Sequence, residues 1–572
     1  MNFKCSKPNA VDAVFCVFLS LVASGIPCIP SALAQGPTKV QPYNPVDVYV
    51  PIDSWVYPAL DRLRGLGYLD RGYFGLRPWT RRSIAQMIQS VSSAASLSDD
   101  PEAFEVLAAL RREFPLSPQD SVTIRYDSVY SRVHGIAGTP LRDSYHLGQS
   151  VFGDYGRPYQ SGINILQGAS ISAQAARFSL FFRGEYQHAP SAPGYSPSLA
   201  ASLAANDGVP LVVGQLQATV PAGPLPEINV FRVVEANLSL RLLDHEISFG
   251  KSDHWLGPDR AGSFIYSNNA ENLYAFQIDR VEPFQIPLLS RVTGPFRYMF
   301  MVGSLQGHTY PNDPWMHTEK ISFKPTENVE IGFARSVIWG GKGHAPITVH
   351  SFLKSFLSLQ NVSTAEKESR DDPGARFSEF DFTWRLPFLR HWATLYCDTI
   401  VHDDVSAVDA PRHAGLRPGI YLAMVPWIPK MDLRVEGANT DPPTGRSLRG
   451  SYLYTESIQK QGYTNKGFLM GDVAGREGKD GEGWLDYHIS PRETIDFNYR
   501  HAKVAKDFVA SGVTQNDFGL GIQKRVHEET EISLRVQQEW WKAPVYLPGK
   551  QSDTSVIVQV QFFPKGLSVF SK

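Results

Sequence analysis

Val556-Ile557-Val558-Gln559-Val560-Gln561-Phe562, near the C-terminus, decides the fold class. Successive side chains of an extended strand point to opposite sides, so Val556, Val558, Val560 and Phe562 share one face and Gln559 and Gln561 the other. The same period of two runs backward through the chain. Ile532, Leu534 and Val536 oppose Ser533, Arg535 and Gln537, and Ile495, Phe497 and Tyr499 oppose Asp496, Asn498 and Arg500. Phe380, Phe382 and Trp384 alternate with Asp381, Thr383 and Arg385. Upstream, Ala236, Leu238, Leu240 and Leu242 alternate with Glu235, Asn237, Ser239 and Arg241, and Phe178, Leu180, Phe182 and Tyr186 with Ser179, Arg183, Glu185 and Gln187. From about Ser121 onward the period stays at two.

Alternation alone means half-buried strands, and a soluble sandwich or propeller is the alternative architecture. Two features favour a membrane barrel. Each strand is about as long as the roughly 9–11 residues that cross a bilayer when tilted. The polar faces carry full charges of both signs, as expected where one face meets lipid and the other a wet or plugged lumen. Segments 189–229, 251–272, 403–418 and 470–483 are rich in Gly, Pro, Asn and Asp and read as loops gathered on the outer side. The expected class is mainly β: a large transmembrane antiparallel barrel with a small N-terminal α-helical bundle.

The bundle is read from residues 53–118, where the period is helical. Ser54 is placed to cap a first helix with Leu60, Leu63 and Leu66 at helical spacing, and Gly67 suits its stop. A second starts near Thr80, with Ile84, Met87, Ile88 and Val91 on one face. A third follows Asp100-Pro101, with Phe104, Leu107, Ala108 and Leu110 apolar, and ends before Pro115. All three are too polar to cross a bilayer.

Ahead of them, Lys4 and Lys7 precede an apolar run beginning Val14-Phe15-Cys16, and Ala32-Leu33-Ala34 offers small residues for cleavage before Gln35. This reads as a signal peptide at 1–34, followed by a leader and periplasmic-side bundle at 35–118 and an outer-membrane barrel at 119–572. Cleavage would remove Cys5, Cys16 and Cys28, leaving Cys397 with no disulfide partner and no cysteine metal cluster. With a net charge of -2 and no basic stripe, nucleic acid is excluded as a partner. Apolar residues at 42% supply enough surface to bury.

Three stretches carry a family resemblance. Trp55-Val56-Tyr57-Pro58-Ala59-Leu60-Asp61-Arg62-Leu63 leads through Gly67-Tyr68 to Leu76-Arg77-Pro78-Trp79-Thr80-Arg81. Phe249-Gly250-Lys251-Ser252-Asp253-His254-Trp255-Leu256-Gly257-Pro258 continues to Ser267-Asn268-Asn269-Ala270. Tyr463-Thr464-Asn465-Lys466-Gly467-Phe468-Leu469-Met470-Gly471-Asp472 closes the set. Together they resemble the capsule assembly Wzi family over most of residues 50–490. Asp472 departs from the pattern, standing where a histidine is expected. The resemblance implies an outer-membrane barrel of eighteen strands with a helical bundle on its periplasmic side, a lectin attaching capsular polysaccharide to the cell surface. The expected partners are capsular or exopolysaccharide and outer-membrane lipid; the bundle reads either as a plug or stabilising cap or as a periplasmic docking face for the polysaccharide export machinery.

Sugar recognition needs aromatic faces for pyranose rings and planar polar groups for hydroxyls. Asp253, His254, Trp255, Asp259, Arg260, Asn268 and Asn269 hold these types in one short stretch, which reads equally as an inward loop that packs the lumen, and Trp339 and Trp484 are further candidates. The competing reading for Trp339, Trp484, Trp540 and Trp541 is the aromatic girdle of a barrel, and it ranks ahead of ligand contact there. No Gly-x-Ser-x-Gly elbow, His-Glu-x-x-His helix, Cys-x-x-Cys pair or P-loop occurs. His245-Glu246 and His527-Glu528 lack a second histidine. The carboxylate pairs Asp371-Asp372 and Asp403-Asp404 are the residue types a glycosidase uses. No cofactor or resident metal is expected, and no enzyme; an oligosaccharide pore with Arg183, Glu185, Asp496 and Arg500 in its lumen is the alternative function, with a glycan hydrolase or lyase behind it.

Overall fold

Eighteen strands follow one another around a closed antiparallel wall. They are β1 (Thr123–Gly138), β2 (Gly162–Ala175), β3 (Phe178–Ala189), β4 (Ile228–Leu242), β5 (His245–Lys251), β6 (Tyr274–Asp279), β7 (Phe296–Ser304), β8 (Trp315–Thr326) and β9 (Val329–Trp339). The second half comprises β10 (Ala375–Arg385), β11 (Ala393–His402), β12 (Gly415–Leu422), β13 (Met431–Asn439), β14 (Gly478–Ser490), β15 (Glu493–Val504), β16 (Val513–His527), β17 (Thr530–Ala543) and β18 (Leu547–Phe562). Each strand pairs with its neighbour in sequence, and β18 returns to β1, with Val133 opposite Val558 across the seam. The computed structural model describes residues 48–93, 100–115, 123–212, 217–358, 362–403, 410–442 and 450–564. The signal-peptide reading, and Asp404, fall outside the described residues.

The alternation read in the sequence is the alternation of the wall. Phe380 and Trp384 are exposed on the outside while Asp381, Thr383 and Arg385 are buried inside. Val556, Val558, Val560 and Phe562 likewise form part of an outer apolar belt with Ile532, Leu534, Val536, Ile495, Phe497 and Tyr499. Closure removes every free strand edge, so the backbone donors and acceptors are satisfied within the wall, as a bilayer demands. At one end the strands are joined by turns of two residues, such as Ala176-Arg177, Leu243-Asp244 and Pro491-Arg492. Leu243 and Asp244 both have positive φ (51° and 60°), the twist that a tight hairpin needs. Long loops occupy the other, outer end. One loop expectation is corrected: the outer segment 470–483 is strand from Gly478 onward, where Gly481 and Gly483 leave the outer face without apolar side chains and Asp480 and Glu482 point inward. Gly415–Leu422 is strand as well, inside a segment read as loop up to 418.

The helices α1 (Val56–Gly65), α2 (Arg81–Gln89) and α3 (Pro101–Glu113) belong to the same compact unit as the wall, which spans residues 45–572. They close the short-turn mouth. Leu60, Leu63, Ile84, Leu107 and Leu110 pack with one another and against Tyr396, Tyr421 and Ala423 of the wall. Each such side chain is worth roughly 1.5–3 kcal/mol when fully buried. Thr80 caps α2 by accepting the Ser83 N–H at 3.2 Å, and Asp100 caps α3 by accepting that of Ala103 at 3.0 Å. The cap of α1 is different from the expectation. Trp55 occupies that position with helical backbone, and Ser54 Oγ accepts only a long 3.4 Å bond from Val56 N. On α3 the buried face is Ala103, Val106, Leu107 and Leu110, a clean i, i+3, i+4, i+7 stripe, and Phe104 is 60% exposed rather than apolar core.

Polar ties lock this mouth to the wall. Glu330 of β9 accepts the backbone N–H groups of Phe74 (3.0 Å) and Gly75 (2.8 Å). Arg297 of β7 donates to the carbonyls of Leu76 (2.9 Å) and Pro78 (3.0 Å), and Arg385 of β10 to Asp70 (2.6 Å). Higher in the lumen a second apolar core fills the space, built from wall residues such as Met301 and Phe377 and loop residues such as Phe264, Tyr266 and Tyr463. The barrel is therefore plugged by its own loops and helices.

Two longer helices decorate the outer end. α4 (Pro197–Asp207) covers the lumen there, packing Leu199 and Leu203 with Trp541 and Val509. α5 (Val349–Leu357) lies instead on the outside of the wall. Its Phe352 and Phe356 contact outward-facing Phe300 of β7 and His317 of β8. His317 Nε2 meets Ser355 Oγ at 3.1 Å, and Arg335 of β9 donates to the carbonyls of Ser355 (3.3 Å) and Ser358 (2.6 Å). These outward polar groups would be stranded on an apolar belt; the helix buries and satisfies them. Its far face presents Val349, Leu353 and Leu357 away from the wall.

Candidate functional site

The segment joining β5 to β6, residues 252–273, starts at the outer end and descends into the lumen. There it meets the N-terminal region as a short antiparallel contact: Arg77 N–H donates to Trp255 O at 3.0 Å and Trp255 N–H to Arg77 O at 3.1 Å. Asp253 is the knot of this meeting. It accepts from the N–H of Ile52 (2.9 Å), the hydroxyl of Tyr155 (3.0 Å) and the side-chain amide of Asn272 (2.8 Å). Burial, with the Asp53 carboxylate nearby, raises its pKa. His254 donates from Nε2 to Gln277 Oε1 at 2.9 Å, and burial lowers it to about 4, so the ring is neutral. Asn269 donates to Leu469 O at 3.0 Å and accepts from Gly153 N at 3.2 Å, tying this loop to two others. These three side chains are committed to holding the plug together.

Four of the remaining candidates line one cavity of about 390 Å³ at the short-turn mouth: Trp255, Asp259, Arg260 and Asn268. The floor is shared with α1, α3 and the wall, through Trp55, Tyr57, Arg62, Glu102, Tyr421 and Asp432. The Trp255 indole donates to Asp259 O at 3.0 Å, which fixes its ring. Arg260 pairs with Asp486 of β14 and lies over the ring of Trp484, 5.2 Å from its centroid. Glu436 of β13 accepts the N–H groups of Arg260 (2.7 Å) and Ala261 (3.1 Å), clamping the turn. Both carboxyl oxygens of Asp259 and Oδ1 of Asn268 are buried with no hydrogen-bond partner among the described residues. Burial, reinforced by Glu436, pushes the Asp259 carboxyl well above its ordinary range. The cavity sets the fixed Trp255 indole beside the polar side chains of Arg260 and Asn268, the combination that grips a hydroxylated ring.

The tryptophans divide in a way that the girdle reading did not foresee. Trp484 points into the lumen, beneath Arg260. Trp541 is also internal, donating to Thr139 O at 2.9 Å under the outer loops. Trp540 does face outward, against Phe518. Trp339 is on the outer wall but covered by α5, 5.7 Å from Phe352, and is not brought to the cavity. The sequence missed Trp55, Tyr57 and Tyr421, because nothing in a helix start or a strand announces that its aromatic residue borders a space. The departure at Asp472 has a local reason: its carboxylate is bidentate to Arg417, with contacts of 2.6 and 2.7 Å in a fully buried pair. Asp403 is held by Lys367 and Arg376, and Asp372 by His344 at 2.9 Å, so neither stands free opposite a second carboxylate.

A family model described as capsule assembly protein Wzi matches residues 132–556. An uncharacterized 55.8 kDa protein in the cps region of Klebsiella pneumoniae is 26% identical over 161 residues, 28% of this chain and 31% of that protein. The match thus spans under a third of that relative's length. Among solved structures, Wzi of Escherichia coli, an outer membrane protein involved in group 1 capsule assembly and a carbohydrate-binding β-barrel, aligns with a TM-score of 0.64 at 16% identity. That alignment covers 90% of this chain and 99% of the other.

Proposed function

Because the chain belongs to the capsule assembly Wzi family, we propose that it is an outer-membrane lectin that holds capsular or exopolysaccharide at the cell surface without breaking a bond. The observation that carries this reading is the plugged lumen of a complete family barrel. Met301, Phe377, Phe264 and Tyr463 pack into one apolar core inside the wall, which opposes the passage of a hydrophilic solute. Retention then rests on many weak sugar contacts along one polymer, each modest and together strong.

The cavity under Trp255 is the site we assign to sugar contact within the barrel. Asp259 and Asn268 supply hydrogen bonds, Trp255 supplies the ring face, and Arg260 and Trp484 stiffen the floor. Outer-membrane lipid covers the apolar belt and the free face of α5. Export machinery is the partner for the bundle side, where exposed Phe104 is the residue such a partner would cover.

The test is binding of the purified, detergent-folded protein to the host's own surface polysaccharide, with Trp255→Ala and Asn268→Ala alongside. The reading predicts saturable binding, weakened at least about tenfold in Trp255→Ala. Unweakened binding by both variants would leave the lectin and remove this cavity as its site. Absence of binding by the folded wild type would remove the lectin.

A further inference from the structure

Three carboxylates from separate stretches meet at the outer end. Asp441 lies two residues beyond β13, Glu477 immediately before β14, and Asp507 in the loop between β15 and β16. One oxygen from each lies within 4.8 Å of the other two. Glu477 is buried. Its Oε2 accepts the Asp507 N–H at 3.0 Å and its backbone carbonyl that of Ala505 at 2.8 Å, so the β15–β16 loop is pinned onto it. Its Oε1 has no hydrogen-bond partner among the described residues. A buried carboxylate oxygen without a donor is costly, and native folds rarely leave one so. Lys479, 63% exposed, pairs with Asp441 at 3.6 Å, and no ion pair among the described residues reaches Glu477 or Asp507. The cluster is short of positive charge at the spot where a buried oxygen is unpaired.

We propose that Asp441, Glu477 and Asp507 bind a divalent cation of the calcium class, which clasps the β13–β14 loop to the β15–β16 loop on the outer face. The donor set is all oxygen, which selects hard cations over the zinc type. Two oxygens on one calcium ion, each at about 2.4 Å, stand at most about 4.8 Å apart, and the three carboxylate oxygens lie within that reach of one another. Magnesium demands strict octahedra at about 2.0–2.1 Å and keeps several of its waters, which suits a loop-borne carboxylate cluster less well. Asp441 and Asp507 are accessible, which leaves positions for water and predicts the modest affinity of extracellular sites, on the order of 10⁻⁴ M. Such a site sits in the medium that the surface polymer shares, yet its existence does not depend on the polymer being bound.

The experiment uses the full chain, refolded in detergent free of lipopolysaccharide and stripped with a chelator, and titrates calcium chloride by calorimetry. One saturable site per chain is expected, weakened at least tenfold in Asp507→Asn and in Glu477→Gln and unchanged or tighter in Lys479→Ala. Exposed Asp507 keeps the test valid if Glu477→Gln disturbs folding. Hydrogen exchange at the amides of Ala505 and Asp507 should slow on calcium addition in the wild type and not in Asp507→Asn. Lack of a saturable site in the folded wild type, or equal affinity in Asp507→Asn, overturns the proposal.

Discussion

His146 sits in the loop after β1, bridging Asp143 (2.9 Å) and Asp207 (2.8 Å), the latter at the C-terminal end of α4. A carboxylate there opposes the helix dipole, and His146 and Arg476 (2.7 Å) offset it. Burial works against charging the imidazole, but the two carboxylates prevail and push it up to about 9. A raised histidine stabilises fully below its unfolded pKa, near 6.5, and loses that contribution as pH rises through about 9. The Asp207 pKa is lowered by His146 and Arg476 against burial, so its own contribution is present above its unfolded value and fades in acid. His146→Gln should cost roughly 3 kcal/mol of local stability near neutral pH, the scale of breaking one side of a buried pair. Limited proteolysis of α4 should speed up in that variant and, in the wild type, between pH 7 and pH 10. Equal cleavage in both proteins at pH 7 would show that the clasp is idle.

Gly67 makes a second prediction at this scale. It ends α1 with φ +84°, its N–H bonded to Arg64 O at 2.9 Å and that of Tyr68 to Leu63 O at 3.0 Å. A Cβ here would meet His391 Nδ1 at 2.5 Å. Gly67→Ala should lower stability by about 1–2 kcal/mol in urea unfolding. An unchanged midpoint would mean that the turn relaxes freely. This glycine was legible in the sequence as a stop; its second role against the β10–β11 turn was not, because 324 residues separate the partners.

At the scale of elements, clean alternation was readable wherever large apolar residues marked every second position, as in Phe380–Trp384. It failed at Gly478–Gly483, where glycines erase the outer face and the strand is defined by Asp480 and Glu482 inside. The side of the wall on which α5 lies was hidden for a different reason. His317 and Arg335 look like lumen residues, and only the register shows that they face outward beneath a helix. Phe352→Ala combined with Phe356→Ala should remove about 1–2 kcal/mol per half-buried ring from that contact. Trypsin should then cut after Lys354 in the folded barrel, while the wild type resists. Resistance in the double variant would mean that the Arg335 and Ser355 bonds alone hold the helix.

For the whole molecule, the helical opening and the period-two remainder pointed to a barrel with a bundle, and the motif from Phe249 to Ala270 pointed to the loop that forms the plug. The residues of that stretch fit a sugar-binding loop and an inward loop that packs the lumen equally well, and the loop turns inward. Asp253, His254 and Asn269 are consumed by plug contacts, and only Trp255, Asp259, Arg260 and Asn268 remain at a space. The charged residues that suggested a pore are paired rather than free: Arg183 with Asp53 of the N-terminal region at 2.8 Å, and, along the wall, Asp496 with Arg535 at 2.9 Å and Arg500 with Asp517 at 3.3 Å. A plugged barrel predicts silence in planar bilayers, and stable single-channel steps would contradict it.

The central claim is retention of polysaccharide at the surface, and cells test it most directly. A strain lacking this chain should make the same total polysaccharide but shed it on washing, with cell-bound glycan falling at least severalfold and recovering when the chain is restored. Equal cell-bound glycan with and without the chain would contradict the account.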